Sequence, residues 1–269
     1  MNKTYRNEAR ELVQQGRQAQ PVLITEDHLL PLPEVVQRYL RYAQVVGKEP
    51  IRTVRLKQRG KFRQSAQQPW MKLDAEEYYS VNPPRFVWVG TLREAGFPVV
   101  RARDRYWDGK GNMQIKLGTF FTIADATGAA MDQGSMMRYL NEMMWFPTAF
   151  LAPNVSFEPV DQTSAKVTLT VGNKQVTATM YFDEEGRLTN FVAPRSREMS
   201  GTSELATWST PMTAYGTFGG FKLPVKGKAV WKLPEGDLEY MDVVIPCNGY
   251  LEYPFEKLNT LREAMLKMY

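Results

Sequence analysis

The spacing of apolar positions changes period along the chain. Residues 2–19 carry Tyr5, Ala9, Leu12 and Val13 at helical intervals, and Pro21 is placed to stop that helix. A second helix is expected over about 33–45, with Val35, Val36, Tyr39, Leu40 and Ala43 on one side. Pro33 suits its first turn, and Gly47 and Pro50 close it. From residue 51 the period drops to two. Segments 51–63, 70–81, 84–93, 97–107 and 112–123 read as consecutive strands, the last two joined by a hairpin turn at Asp108-Gly109-Lys110-Gly111. Residues 131–151 (MDQGSMMRYLNEMMWFPTAFL) return to helical spacing until Pro147 and Pro153. Alternation resumes in 164–171, 175–182, 187–197, 204–218, 221–233 and 237–253. Residues 254–269 close the chain with Phe255, Leu258, Leu261, Met265 and Leu266 on one helical face.

About eleven strands around one inserted helix predict a mainly β (α+β) fold with a large antiparallel sheet. A twisted sheet of that size curls, so the expectation is a half-open β-barrel wrapped around helices. One structural domain is expected: N-terminal helices in 1–50 packing on the sheet, then a curved β domain over 51–269. That domain carries the inserted helix 131–146 and a C-terminal helix 254–268.

Composition narrows the chemistry. A single cysteine, Cys247, excludes a disulfide framework and a multi-cysteine zinc site, and its strand position makes it a buried, inert thiol. A single histidine, His28, in a Pro-rich connector, reads as structural or exposed and takes the commonest general base out of consideration elsewhere. P-loop, dinucleotide and nucleophile-elbow motifs are absent, so neither a cofactor nor a catalytic residue is assigned. Gly216-Thr217-Phe218-Gly219-Gly220 joins two strands and reads as a bend or bulge. The polar N-terminus lacks a signal-peptide core, so a cytoplasmic protein is expected.

The net charge of +5 permits an anionic partner without demanding one. Arg55, Lys57, Arg59, Lys61 and Arg63 form a basic stripe, but Asp74 and Glu76 match it on the next strand. A solvated, cross-paired sheet face is the ordinary explanation. Arg101, Arg103 and Arg105 add a second outer stripe without the aromatic interleaving that stacks bases, so no nucleic acid is expected. A membrane surface remains a weak partner for these faces.

The helix over 131–146 holds most of the candidate site. Five of the fourteen methionines fall in or beside it, Met143 among them. They suit either plain core or the adaptable wall of an apolar cavity. Arg138 and Glu142 stand one turn apart and are expected to pair. Arg138 is also a candidate partner for two inward-facing carboxylates, Asp104 and Glu77, or an anchor for an anionic head group. Tyr79, Trp88, Tyr106, Trp145, Trp208 and Tyr215 are core by default and would equally suit a concave sheet that holds a ligand.

Arg138-Tyr139-Leu140-Asn141-Glu142 followed by Trp145-Phe146-Pro147-Thr148-Ala149 resembles the signature of an uncharacterised bacterial family, a domain of unknown function. Phe182-Asp183 with Gly186, Arg195-Ser196-Arg197, Trp208, Tyr215-Gly216, Trp231 and Tyr240 extend the resemblance over roughly residues 30–253. That family supplies no activity to carry over. Its members often carry N-terminal membrane segments, from which this chain's polar start departs. The strand count and the helix inserted mid-sheet are similar, more distantly, to the lipoprotein carriers of the LolA/LolB type. That likeness implies an open barrel with a helical lid over an apolar cavity.

Three functions follow from these features. The first is a non-enzymatic binder or carrier of a hydrophobic or amphipathic small molecule, held between curved sheet and helix. The second is an interaction module working through the basic sheet face. The third is a carboxylate-dependent enzyme using Asp104 or Glu142, with Arg138 holding an anion.

Overall fold

The computed structural model describes residues 2–15, 22–118, 121–199, 202–246 and 250–252. The helices are α1 (Asn2–Gln15), α2 (Glu34–Tyr42) and α3 (Ala129–Glu142). The first six strands are β1 (Thr53–Phe62), β2 (Met71–Ser80), β3 (Arg85–Glu94), β4 (Phe97–Trp107), β5 (Lys110–Leu117) and β6 (Phe121–Ala126). After α3 come β7 (Val155–Pro159), β8 (Ser164–Val171), β9 (Lys174–Phe182), β10 (Leu188–Met199) and β11 (Thr202–Ser209). The last are β12 (Met212–Phe218), β13 (Phe221–Leu233), β14 (Gly236–Val244) and β15 (Tyr250–Glu252).

All fifteen strands form one antiparallel sheet in the order β6-β5-β4-β3-β2-β1-β14-β13-β11-β10-β9-β8-β7, with β12 on β13 and β15 on β1. β6 and β7 form the two ends of this path and do not pair with each other, so the barrel stays half open. Its fold class is the one the alternation predicts. The strand count exceeds the expected eleven because four segments divide or were missed. Residues 112–123 break at Gly118, whose φ of +59° reverses the chain so that Leu117 pairs with Phe121. Residues 204–218 break at Thr210-Pro211, where proline supplies no ladder donor. Segment 237–253 resolves into β14 and β15. β7 is a short, mostly exposed edge strand ending in Pro159, too weakly alternating to stand out.

The helix boundaries shift as well. The expected helix 33–45 runs Glu34–Tyr42, and 131–146 becomes α3 plus two 3-10 segments, Met143–Trp145 and Pro147–Leu151. The Gly-rich run at 216–220 is a tight hairpin turn, with Gly219 at φ +56° and Gly220 at +81°, in place of a bulge. Cys247, Pro21 and the expected C-terminal helix 254–268 lie outside the described residues.

The two faces of the sheet are covered differently. α1 packs Tyr5, Ala9 and Leu12 on Val87, with Tyr78, Val89 and Trp107 around them. These alternate with Phe86 and Trp88 of the main core, so α1 lies on the outer face. There Glu8 accepts from Arg103 Nε at 3.0 Å and from Arg105 Nη1 at 3.2 Å. Arg103 and Arg105 of the second basic stripe thus share one carboxylate from a helix, and Arg103 is buried. The first stripe pairs with the expected carboxylates, Arg55 with Glu76 and Arg59 with Asp74, and Lys61 adds a pair with Asp242 on β14.

On the inner face α3 packs on β4 and β5 from one half of the sheet and on β9 and β10 from the other. Its first turn is tied to both halves through the buried Asp132. This carboxylate accepts from Lys110 Nζ (3.1 Å) and Gly111 N (2.8 Å) on the β4–β5 hairpin, and from Lys174 Nζ (2.7 Å) at the start of β9. Burial alone would raise the Asp132 pKa; hydrogen bonds from Lys174, Gly111 and Lys110 outweigh it and hold the group below its usual range. The turn carrying this contact has Asp108 at φ +50° and Gly109 at +75°, the pair of left-handed residues that a two-residue hairpin needs.

Gly111 lets the hairpin approach the helix. A Cβ there would lie 2.4 Å from the Met131 carbonyl oxygen and 2.6 Å from Ser135 Oγ. Gly111→Ala is expected to destabilise the fold by about 1–3 kcal/mol, the usual cost of overpacking. Urea unfolding measures it, and an unchanged midpoint would refute this account of the helix–hairpin contact.

Candidate functional site

A cavity of about 960 Å³ lies between α3 and the inner faces of both half-sheets. Phe62, Leu73, Leu92, Val100, Ala102 and Ile115 make an apolar wall from β1–β5. Trp208, Trp231, Leu238, Tyr240 and Val243 face it from β11, β13 and β14. Trp231 stacks on Tyr240 at 5.9 Å between centroids, and Trp208 Nε1 donates to the Tyr240 hydroxyl at 3.0 Å. The aromatic wall is therefore held rigid from within.

The helix contributes its more polar side. Met131, Gly134, Arg138, Asn141 and Trp145 line the cavity, spaced three and four residues apart along one face. Met136, Met137, Leu140 and Met143 point the other way into the core and are at most 1% exposed. The methionine-rich face thus plugs the core, while the face bearing Arg138 closes the void.

Arg138 organises the polar end. Its Nε donates to Glu142 Oε1 (2.9 Å), Nη1 to Asp104 Oδ2 (2.8 Å), and Nη2 to Glu77 Oε1 and Oε2 (2.9 and 3.0 Å). β-sheet register explains the meeting. Glu77 stands opposite Trp88, and Trp88 opposite Asp104, so the two carboxylates flank one tryptophan on the inner face. The guanidinium lies 5.2 Å from the Trp88 ring and 4.9 Å from Phe86. Three carboxylates against one guanidinium would sum to −2 if all were ionised. Burial and mutual repulsion oppose that full charge. Burial pushes the Glu77 carboxyl well above the usual carboxylate range; Arg138 pulls it back, and Glu142 and Asp104 push it further up. Burial also raises Glu142, again against the pull of Arg138. The Tyr79 hydroxyl faces both glutamates without closing a well-formed hydrogen bond to either. Asp104 Oδ1 and Glu142 Oε2 are buried without a partner.

Six of the expected site residues reach the cavity: Trp88, Asp104, Arg138, Glu142, Trp145 and Trp208. Trp88 Nε1 donates to Gln58 (2.9 Å) and Trp145 Nε1 to the Pro224 carbonyl (3.0 Å). The other four do not line it. Tyr79 packs on Phe146, Tyr106 on Phe86 and Tyr139, and Met143 lies in the core. Tyr215 stacks edge-on against Tyr42 and donates to the Leu188 carbonyl at 2.6 Å. Tyr79 and Tyr106 alternate inward as expected, but packing against Phe146 and Tyr139 of the helical segment removes them from the void.

Gln58, Arg195 and Trp231 belong to the wall and were not expected there. For Arg195 the signal was present: Phe191, Ala193 and Arg195 alternate on one face of β10. His28 has the structural role expected: Nδ1 accepts from Thr25 N at 3.0 Å and caps a 3-10 turn. Among the described residues no group of three or more His, Cys, Asp or Glu is arranged to hold a metal ion.

Removing Arg138 leaves three buried carboxylates without their cation. Arg138→Met is expected to cost roughly 3–5 kcal/mol at neutral pH, and less in acid, where the carboxyls are protonated. Glu77 gives the opposite sign. Because its native pKa is raised, its contribution to stability is complete below its ordinary value of 4.5 and is lost as pH rises through the native value. Glu77→Gln mimics the protonated form, so its stability relative to wild type should improve from about pH 5 to about pH 8. Urea unfolding at both pH values checks it; a relative loss at the higher pH would show Glu77 to be an ordinary ionised partner.

Residues 22–243 match the model of a family of unknown function, DUF6544. No curated protein matches the chain in sequence. Among solved structures, a DUF1329 family protein from Desulfovibrio piger aligns over 82% of this chain and 91% of its own, at 9% identity and TM-score 0.44. A putative outer membrane lipoprotein-sorting protein domain from Vibrio parahaemolyticus aligns over 78% and 91%, at 6% identity and TM-score 0.42. A LolA superfamily protein from Nitrosomonas europaea aligns over 87% and 97%, at 8% identity and TM-score 0.41. The family match spans most of the chain, including α3 and both walls of the cavity, and the protein is a member of DUF6544.

Proposed function

We propose that this protein binds, and in that sense carries, a hydrophobic or amphipathic small molecule in the cavity between the curved sheet and α3. The observation that carries this reading is the cavity itself: about 960 Å³, walled mainly by aliphatic and aromatic side chains from two half-sheets. Pockets that bury a drug-sized ligand span roughly 300–1,000 Å³ and have the same mostly apolar lining. Collapse of the void is opposed by polar ties from the helix to both walls. Arg138 reaches Glu77 and Asp104 on one side; Asn141 reaches Thr210 at 2.7 Å, and Trp145 the Pro224 carbonyl, on the other.

Catalysis by the carboxylates is the weaker reading, since each has one or both oxygens engaged by Arg138. A role for the basic sheet face is weaker too, because Glu8, Glu76 and Asp74 offset part of that charge.

Native mass spectrometry before and after delipidation, followed by titration with a neutral apolar fluorophore, tests the binding reading. Filling the void with Ala102→Trp should weaken uptake of the fluorophore by about ten-fold or more while leaving the urea midpoint within the ~1–3 kcal/mol expected of a small-to-large change. Equal uptake by the filled variant would place any binding outside the cavity.

A further inference from the structure

We infer that the cavity takes an anionic amphiphile, whose carboxylate or phosphate head is held by Arg195 while its apolar body lies against the β3–β5 wall. This rests on the binding reading above and adds the chemical class of the ligand. Arg138, the expected anion anchor, does not serve: all three of its nitrogens engage carboxylates. Arg195 lines the same cavity and has no carboxylate partner among the described residues.

Its posture is built. The guanidinium lies 4.5 Å from the Trp208 ring and 5.9 Å from Trp231, and Nε donates to the Gly134 carbonyl on α3 at 3.1 Å. The strand on either side is clamped by one helix side chain. Gln133 donates to the Pro194 carbonyl and accepts from Ser196 N, both at 3.1 Å. The guanidinium plane and one of its three nitrogens are thus fixed, and the Nη groups keep their donors. A planar fork held in one orientation is suited to bidentate recognition of a carboxylate or phosphate. Lys226, also on the wall and exposed, adds positive charge without a carboxylate partner among the described residues. The facing wall of Leu92, Val100, Ala102 and Ile115 offers an anion nothing and accepts an apolar chain.

Titration of wild type, Arg195→Gln and Arg195→Lys with hexadecanoate, hexadecyl phosphate and hexadecanol, followed by tryptophan fluorescence, tests the assignment. Wild type should bind at least one of the two anions about ten-fold tighter than the neutral alcohol, the size of one charge-assisted hydrogen bond. Comparison of the two anions separates a carboxylate head from a phosphate head. In Arg195→Gln that preference should vanish while alcohol binding persists, which also reports that the variant is folded; Arg195→Lys should keep part of it. Equal binding of alcohol and anions by wild type, or an intact preference in Arg195→Gln, overturns the assignment of Arg195 and leaves the cavity reading standing. No binding of any of the three overturns both.

Discussion

A buried guanidinium fixes the setting of the central helix. A charge taken out of water is tolerated only when it is paired and hydrogen-bonded. Arg138 finds its partners at positions that the sheet register dictates, on β2 and β4 either side of Trp88. Once that residue points at the first half of the sheet, the rotation of α3 is settled. Positions 136, 140 and 143 must turn toward the core, and the stripe from 131 to 145 must face the remaining space. The location of the cavity is therefore a consequence of one side chain's electrostatics. The cluster is also over-supplied with acid, and the structure meets that by holding Glu77 and Glu142 toward their neutral forms.

The same helix explains how an open sheet keeps an interior. β6 and β7 leave the barrel unclosed, so nothing in the strand ladder joins the two halves across the opening. Asp132 does so at one end of α3, taking donors from the β4–β5 hairpin and from Lys174 of the opposite half. Toward the other end Asn141 and Trp145 tie the helix to the second half, facing the Arg138 contacts with the first. These ties are short and directional and end on buried groups of the helix, so sliding it inward would leave several polar groups unsatisfied, each at a cost of about 1–3 kcal/mol. An apolar void is destabilising by itself. Here it sits beneath a helix that is pinned at both ends.

Much of this was legible in the sequence. Period-two alternation placed Glu77 and Asp104 inside, and the helix spacing placed Arg138 opposite Glu142; the ion cluster follows from those two facts. What the alternation could not convey was which inward positions a helix would cover. Tyr79 and Tyr106 have the right facing for a cavity wall, yet tertiary packing buries them against Phe146, Tyr139 and their neighbours. The methionines divide between the two roles: Met136, Met137 and Met143 fill the core, while Met131 and Met144 line the cavity. A Met-rich stripe suits an adaptable ligand surface, but it is equally good core filler, and only the Arg138 contacts decide which face turns inward. Three of the extra strands were hidden by breaks that interrupt the ladder without interrupting the apolar alternation, as at Gly118, and the fourth, β7, alternates too weakly to show.

Two of the arginines on the cavity, Arg138 and Arg195, show how environment separates roles for one residue type. Arg138 comes from a helix into a row of acids, and its three nitrogens are consumed in holding that helix in place. Arg195 comes from a strand onto an indole face, and only Nε is committed, to a backbone carbonyl one helical turn from Arg138. A π face stabilises a guanidinium without occupying its N–H groups, which lie in the plane of the fork. Stacking therefore leaves donors available where ion pairing does not. The cavity has one arginine that fixes its shape and a second that is equipped to read what enters it.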